Sequence, residues 1–276
     1  CVSKYSVKKE IKRLKMNAFN NFAPTVLRWN YNEGWYEEDY VGCSIDVSQR
    51  SLNSEIFLRQ FNSDIVPFLR DMANFRKQIN KNLKNYAEEI AQSVMPEQAG
   101  KTHLDMESLQ KINDFTKTIK QNLLDSGNEH ILLIFSHGDL VPANILKTES
   151  GIKIVDWESA APRSLLFDFY SYFFYRMACR QHPVRKLVPE INTALQILAK
   201  RLPLGMLDAP QKIFSLKDTY RWIYYIETFS RLVERSRTDD NLDTMDFLKK
   251  YFTAFYQFEE FETHAINFAN SQVTRQ

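Results

Sequence analysis

Three residues near the middle of the chain carry atoms suited to holding a divalent cation and aligning a hydroxyl: Asp139, Asn144 and Asp156. All three offer oxygen ligands. Mg²⁺ takes one or two carboxylates of this kind and completes its octahedron with water and phosphate oxygens. The chemistry served best by such a set is phosphoryl transfer. That reaction needs little covalent help from a protein; it needs charge neutralisation, in-line positioning and a carboxylate near the attacking hydroxyl. Asp139 supplies a carboxylate for the nucleophile, and Asn144 and Asp156 supply oxygen donors for a metal.

The stretch from Ile131 to Glu158 must position them. An apolar run, Ile131 to Phe135, reads as a strand, and a polar loop from Ser136 to Asn144 breaks it. Ile145-Leu146 follows, then a turn at Glu149-Ser150-Gly151, then a second apolar run, Ile152 to Val155, ending on Asp156-Trp157-Glu158. The three residues therefore lie at strand mouths rather than on a solvated helix face. His137-Gly138-Asp139, four residues and then Asn144 repeat the spacing of a protein-kinase catalytic loop, and Asp156 falls where that loop's metal-binding partner follows. An Asp-x4-Asn pair alone carries no information; the His-Gly before it and the strand-Asp-Trp-Glu after it make it specific.

HGDLVPANIL followed by IVDWE resembles the aminoglycoside phosphotransferase and choline kinase superfamily of small-molecule kinases, whose signature is H-G-D-x-x-x-x-N and then two apolar residues before D-W/F-E. The resemblance implies a protein kinase-like fold using ATP and Mg²⁺. It makes Asp139 the catalytic base or hydroxyl orienter, and Asn144 and Asp156 the Mg²⁺ ligands. It makes His137 a brace for the loop and gives Glu158 an assisting role at metal or substrate. Asp168, in Leu-Phe-Asp-Phe-Tyr, matches the family's structural Asp that ties a buried helix to the catalytic loop. Trp157 leans toward the aminoglycoside-kinase branch, since the choline kinase branch more often has Phe there.

The same resemblance organises the start of the chain. Glu38-Asp39-Tyr40-Val41-Gly42 resembles the hinge strand whose backbone reads adenine, so Glu38, Tyr40 and Val41 are expected to bind the nucleotide. The basic helix holding Glu10 resembles the one whose Glu pairs with the ATP-binding lysine, for which Lys4 is the candidate. Opening on Cys1, the chain reads as a fragment, a processed product or a trimmed form; on that alignment it begins at or just after the lysine strand, and with Gly34 as its first glycine it shows no glycine-rich turn over the phosphates. The motif-specific part is 134–158.

Around this centre the pattern is mostly helical. Residues 4–15 are basic, with Val7, Ile11 and Leu14 on one stripe. Residues 24–41 read as a hairpin turning at Asn32-Glu33-Gly34. From 52 to 125 helices are expected: Phe57, Phe61, Ile65, Phe68, Met72 and Phe75 form one face, divided or kinked at Pro67. Ile79, Leu83, Tyr86 and Ile90 continue the helical step, 95–102 is a loop, and Leu109 to Leu123 is a helix closed near Ser126-Gly127. Leu165 to Cys179 reads as a buried helix, followed by helices over 188–202, 218–235 and 242–264. Trp222, Tyr224 and Tyr225 are read as packing in preference to a cation-π box. The carboxylates Asp239, Asp240, Asp243, Asp246, Glu259, Glu260 and Glu262 are read as a solvated face in preference to a pocket for a cationic acceptor.

Composition sets the remaining bounds. The 276 residues have a net charge of +2, 44% hydrophobic and 13% aromatic content, which describe a globular protein with a sizeable core and argue against a polyanion binder. Three widely spaced cysteines, Cys1, Cys43 and Cys179, suit a reducing compartment and give neither a disulfide framework nor a zinc site. No apolar run reaches a membrane span.

The expectation is an α+β, protein kinase-like fold with a helix-rich C-terminal lobe and a truncated β-containing N-terminal lobe. Residues 1–46 form the partial N-terminal lobe and hinge, and 47–276 the helical lobe with the catalytic loop. The expected function is cytoplasmic, ATP-dependent transfer of the γ-phosphate to a hydroxyl of an aminoglycoside-, amino alcohol- or sugar-like molecule, with no nucleic-acid or membrane partner. The alternative is an inactive kinase-like binding module.

Overall fold

The structure, a computed structural model, describes residues 11, 22–30, 32–33, 35–39, 45–46, 53–75, 78–92, 94, 106–149, 151–202, 211–238 and 242–273. The fold is α+β, and helices dominate from Ser54 onward. Contacts divide the chain into two compact units. One comprises Cys1–Ile79, Leu133–Tyr172 and Ala194–Pro210; the other comprises Asn80–Leu132, Phe173–Thr193 and Gln211–Gln276.

The first unit holds the Asp139 loop. Strands β1 (Val26–Asn30) and β2 (Trp35–Glu38) form the expected antiparallel hairpin, with Trp29 opposite Tyr36. The Asn30 side chain starts the turn by accepting the backbone N–H groups of Asn32 and Glu33 at 2.9 and 3.2 Å. Strands β3 (Ile45–Asp46), β6 (Ile145–Thr148) and β7 (Gly151–Ile154) form a sheet in the order β3-β6-β7. Strand β5 (His130–Ser136) pairs antiparallel with β8 (Ala161–Ser164), Leu133 lying opposite Ser164 and Ser136 opposite Ala161.

Helices α1 (Ser54–Gln60) and α2 (Val66–Phe75) carry the predicted apolar face. Phe57, Phe61, Ile65, Phe68 and Met72 are all buried. Pro67 does not divide the helix. A single π-helical turn, Phe61–Ile65, joins the two pieces just ahead of it, and Val66 N–H bonds back to Phe61 O. Widening the register there accommodates the missing proline donor without breaking the rod. The buried face is aromatic: Phe57 stacks on Tyr172 at 5.2 Å, and Phe68 meets the edge of Trp157 at 6.1 Å.

The second unit, which begins at Asn80 within a strand, departs from expectation at several points. Ile79 to Asn82 is a strand, β4, and Ile79 is 43% exposed rather than on a helix face. Helix α3 (Leu83–Gln92) begins at Leu83 because Asn82 caps it, its side chain accepting Asn85 N–H at 3.0 Å. Helix α4 (Met106–Asp125) ends as read: Ser126 Oγ donates to Leu123 O at 2.7 Å, and Gly127 takes φ +71°. Helix α5 (Phe167–Arg180) is buried along most of its length, its first six residues belonging to the first unit. Helix α6 (Val184–Ala199) starts four residues earlier than expected, because Pro183 supplies the carbonyl that opens it. Helices α7 (Gln211–Ser215), α8 (Lys217–Thr238) and α9 (Leu242–Val273) complete the unit.

Tyr224 and Tyr225 belong to the core of this second unit. They are buried against Phe174 and Phe255, with Tyr225 and Phe255 stacked at 4.1 Å. The expected solvated acidic face is corrected at Glu259. Its carboxylate accepts from Arg221 Nε (2.8 Å), Trp222 Nε1 (3.2 Å) and Tyr225 OH (3.0 Å), tying α8 to α9. Arg221 is buried, and a buried guanidinium demands a counter-charge. Asp246, by contrast, is exposed and pairs with Lys250. Asp239 and Asp240 lie outside the described residues. Leu132 N–H donates to the buried Tyr220 hydroxyl, whose pKa burial pushes up to about 12. Among the described residues no helix is long and apolar enough to cross a membrane.

Candidate active site

The chain leaves β5 at Ser136 and runs directly into His137-Gly138-Asp139. Asp168, in the first turn of α5, fixes this corner. One of its carboxylate oxygens accepts His137 N–H at 2.7 Å and the other accepts Gly138 N–H at 2.9 Å. The carboxylate is 4% exposed. Two charge-assisted bonds from buried amides compensate its burial, and its place at a helix N-terminus suits a negative charge.

His137 is fully buried and bonds at both ring nitrogens. Nδ1 accepts Asp139 N–H at 3.2 Å, so the proton sits on Nε2, which donates to Val155 O at 3.0 Å. The edge of its ring meets Trp157 at 4.6 Å. Asn144 makes a second bridge of the same kind. Its Nδ2 donates to Asp139 O at 3.0 Å, and its backbone O accepts Val155 N–H at 3.0 Å. Two links thus join the Asp139 loop to Val155, the residue before Asp156.

Asp156 itself takes φ +63° and ψ +58°, the left-handed region, and opens the 3₁₀ turn Trp157–Ser159 that carries Glu158. Asp tolerates that region better than most residues, yet the conformation persists only where surroundings over-determine it. The fixed groups are on either side: Val155 behind, and Trp157 ahead, buried with Nε1 donating to Ile154 O at 2.7 Å.

Gly138 explains why the loop is so closely seated. It adopts φ +84°, and a Cβ there would lie 2.3 Å from Ser159 O. Both conformation and contact therefore require glycine. Gly138→Ala is expected to destabilise the protein by about 2 kcal/mol or more and to lower turnover with it. Thermal melting and an ADP-release assay on the same sample check both halves.

Asp139, Asn144, Asp156 and Glu158 are half-buried, and one hydrogen-bonded frame joins the first two to Val155, the residue before Asp156. The donor set fits Mg²⁺. With Nδ2 of Asn144 donating to Asp139 O, its amide presents Oδ1 as the oxygen that could serve a metal, and Asp156 contributes a carboxylate to the same donor set. Among the described residues no three His, Cys, Asp or Glu side chains gather into a closed cage. An open pair of oxygen ligands is what a Mg²⁺-nucleotide site uses, because phosphates and water fill the rest.

Glu38 ends β2, and partial burial raises its carboxyl pKa. Tyr40, Val41, Glu10 and Lys4 lie outside the described residues. Sequence reading missed Ser159 and Arg163. Arg163 NH2 donates to Ser159 O at 2.9 Å from strand β8, a four-residue Ala-Pro-Arg-Ser segment without apolar alternation.

The sequence profile of the choline/ethanolamine kinases matches residues 44–194, the span holding the whole frame. Comparison with curated proteins yields no match. Among solved structures, a choline kinase from Cryptosporidium parvum Iowa II superposes with TM-score 0.58 at 15% identity, covering 95% of this chain and 79% of the other. The Plasmodium vivax ethanolamine kinase gives 0.56 at 13% identity, covering 91% and 71%. A thermostable mutant of an aminoglycoside phosphotransferase gives 0.53 at 13% identity, covering 93% and 84%. Likenesses at these identities show the kinase-like fold. The profile corrects the lean that Trp157 suggested: its ring is a packing element between His137 and Phe68, and such a ring does not report the acceptor.

Proposed function

The chain belongs to the choline/ethanolamine kinase family, and from that premise we propose that it moves the γ-phosphate of ATP to the hydroxyl of a small amino alcohol. The observation that carries the reading is the frame in which His137 and Asn144 each bond both to Asp139 and to Val155, holding the Asp139 loop against the Asp156 turn. Asp139 orients the acceptor hydroxyl and takes its proton. Asn144 Oδ1 and the Asp156 carboxylate hold Mg²⁺, which neutralises phosphate charge when bound with the nucleotide. His137 and Asp168 fix the loop, and Glu158 assists at metal or substrate. On the same reading Glu38, Tyr40 and Val41 meet the adenine, Glu10 pairs with Lys4, and the lobes divide as 1–46 and 47–276. A cytoplasmic setting fits the three widely spaced cysteines. The family profile and the fold likenesses lend no support to an inactive binding module.

ADP release in parallel reactions with choline, ethanolamine, glucosamine and an aminoglycoside tests the acceptor. The highest kcat/KM is expected for choline or ethanolamine; a higher value for the aminosugar or aminoglycoside overturns the amino alcohol assignment. Asp156→Asn is expected to raise the Mg²⁺ concentration needed for half-maximal rate and to cut kcat by about a hundredfold or more. A Mg²⁺ titration of wild type and variant checks it.

A further inference from the structure

We propose that Arg163 is a positioning residue for the metal site, a clasp on the far end of the turn that carries Asp156 and Glu158. Three groups converge on one point. The Cα of Gly138 is seated so closely that an added Cβ would lie 2.3 Å from Ser159 O and 3.1 Å from Arg163 Nε. Arg163 reaches this point from β8, where it pairs with Ile134 of β5, the strand that delivers the Asp139 loop. Its NH2 donates to Ser159 O at 2.9 Å, and its guanidinium lies over the Phe167 ring at 4.9 Å.

The consequence follows from where the anchors fall. Val155 is held by His137 and Asn144, and Ser159 is held by Arg163. Between these anchors lie Asp156, Trp157 and Glu158. Asp156 is in a sparsely populated backbone region that its surroundings must enforce. Fixing only the near end leaves the turn free to relax at Ser159; fixing both ends holds the Asp156 carboxylate at a set distance from the Asp139 loop. The task suits arginine, because one planar group stacks on a ring and donates in its own plane, which an ammonium does not. Arg163 is assigned a positioning part, not a catalytic one. It acts through the Ser159 carbonyl, in the way that partners behind a metal ligand orient it.

This inference rests on Asp156 as a metal ligand, so its test carries its own control. Mn²⁺ uptake in the presence of ADP is followed by electron paramagnetic resonance for wild type, Asp156→Asn, Arg163→Ala and Arg163→Lys, with melting temperatures alongside. Wild-type uptake that Asp156→Asn abolishes establishes the ligand reading; uptake unchanged in Asp156→Asn refutes that reading itself. With the ligand established, Arg163→Ala is expected to weaken Mn²⁺·ADP binding about tenfold. Arg163→Lys is expected to recover little of it, and millimolar guanidinium to restore Arg163→Ala towards wild type. Binding by Arg163→Ala within twofold of wild type overturns the clasp. So does weakened binding that guanidinium leaves unrestored while the melting temperature falls, since that pattern describes a scaffold residue only.

Discussion

Asp139→Asn is expected to cut phosphoryl transfer by about 10²–10⁴ while leaving the protein folded. The loop's frame uses the backbone of Asp139: its N–H donates to His137 Nδ1, and its C=O accepts from Asn144 Nδ2 and from Val141 N–H. An isosteric amide keeps those bonds and removes only the carboxylate that takes the hydroxyl proton. Loss of a positioned general base lowers kcat by about 10²–10⁴, and the melting temperature should stay within about 2 °C of wild type. ADP release at saturating acceptor, beside a thermal melt, separates the two quantities. Near-wild-type turnover would remove Asp139 from its role.

Asp168→Ala should do the opposite in kind. Its carboxylate sits away from the reacting groups, but it satisfies two buried amides, those of His137 and Gly138. Gly138 N–H keeps Ser136 Oγ at 3.1 Å as a weaker partner. Leaving buried donors short costs about 1–3 kcal/mol each. A total near 3 kcal/mol corresponds to a fall in melting temperature of roughly 5–10 °C for a chain of this size. Activity should fall as well, because the peptide planes leading into Asp139 lose their anchor. Asp168→Asn is expected to rescue little, since it turns an NH₂ group toward one of the two N–H donors. A melt unchanged within 1–2 °C, about the size of a surface effect, would show that the carboxylate is not what holds the loop.

These two variants also mark what the sequence made legible. The frame residues were readable because a loop between strands preserves spacing: His137, Asp139 and Asn144 are counted along one segment, and Asp156 falls one hairpin later. Asp168 was readable only through resemblance, since nothing local says that a carboxylate on an apolar helix reaches back thirty residues to two amides. Gly138 stands in the motif, but its reason, a left-handed backbone pressed against Ser159, is a tertiary fact. Arg163 gave no signal, because a four-residue strand containing Pro162 has no room for a period to show.

The misread elements have physical causes too. Ile79 keeps the helical step of Leu83, Tyr86 and Ile90 by coincidence, while the Asn82 cap decides where the helix begins. Pro67 was expected to kink or divide a rod that a π turn keeps undivided. Glu259 of the last helix looked solvated because its partner Arg221 lies 38 residues away. Trp157 leaned toward the aminoglycoside-kinase branch, and in the structure it is a buried packing ring. At Ile79 and Pro67 the deciding partner is local, a cap and a π turn; at Glu259 and Trp157 it lies far away in sequence.

The most direct test of the central claim follows the phosphoryl group itself. Wild-type protein, Mg²⁺, ATP and choline or ethanolamine are monitored together by phosphorus NMR. The account predicts that the γ-phosphate signal of ATP declines as an equal amount of phosphomonoester of the amino alcohol appears, and that Asp139→Asn forms it about 10²–10⁴ times more slowly. ATP left intact by the wild type with both acceptors, or phosphomonoester formed by Asp139→Asn at the wild-type rate, would contradict it.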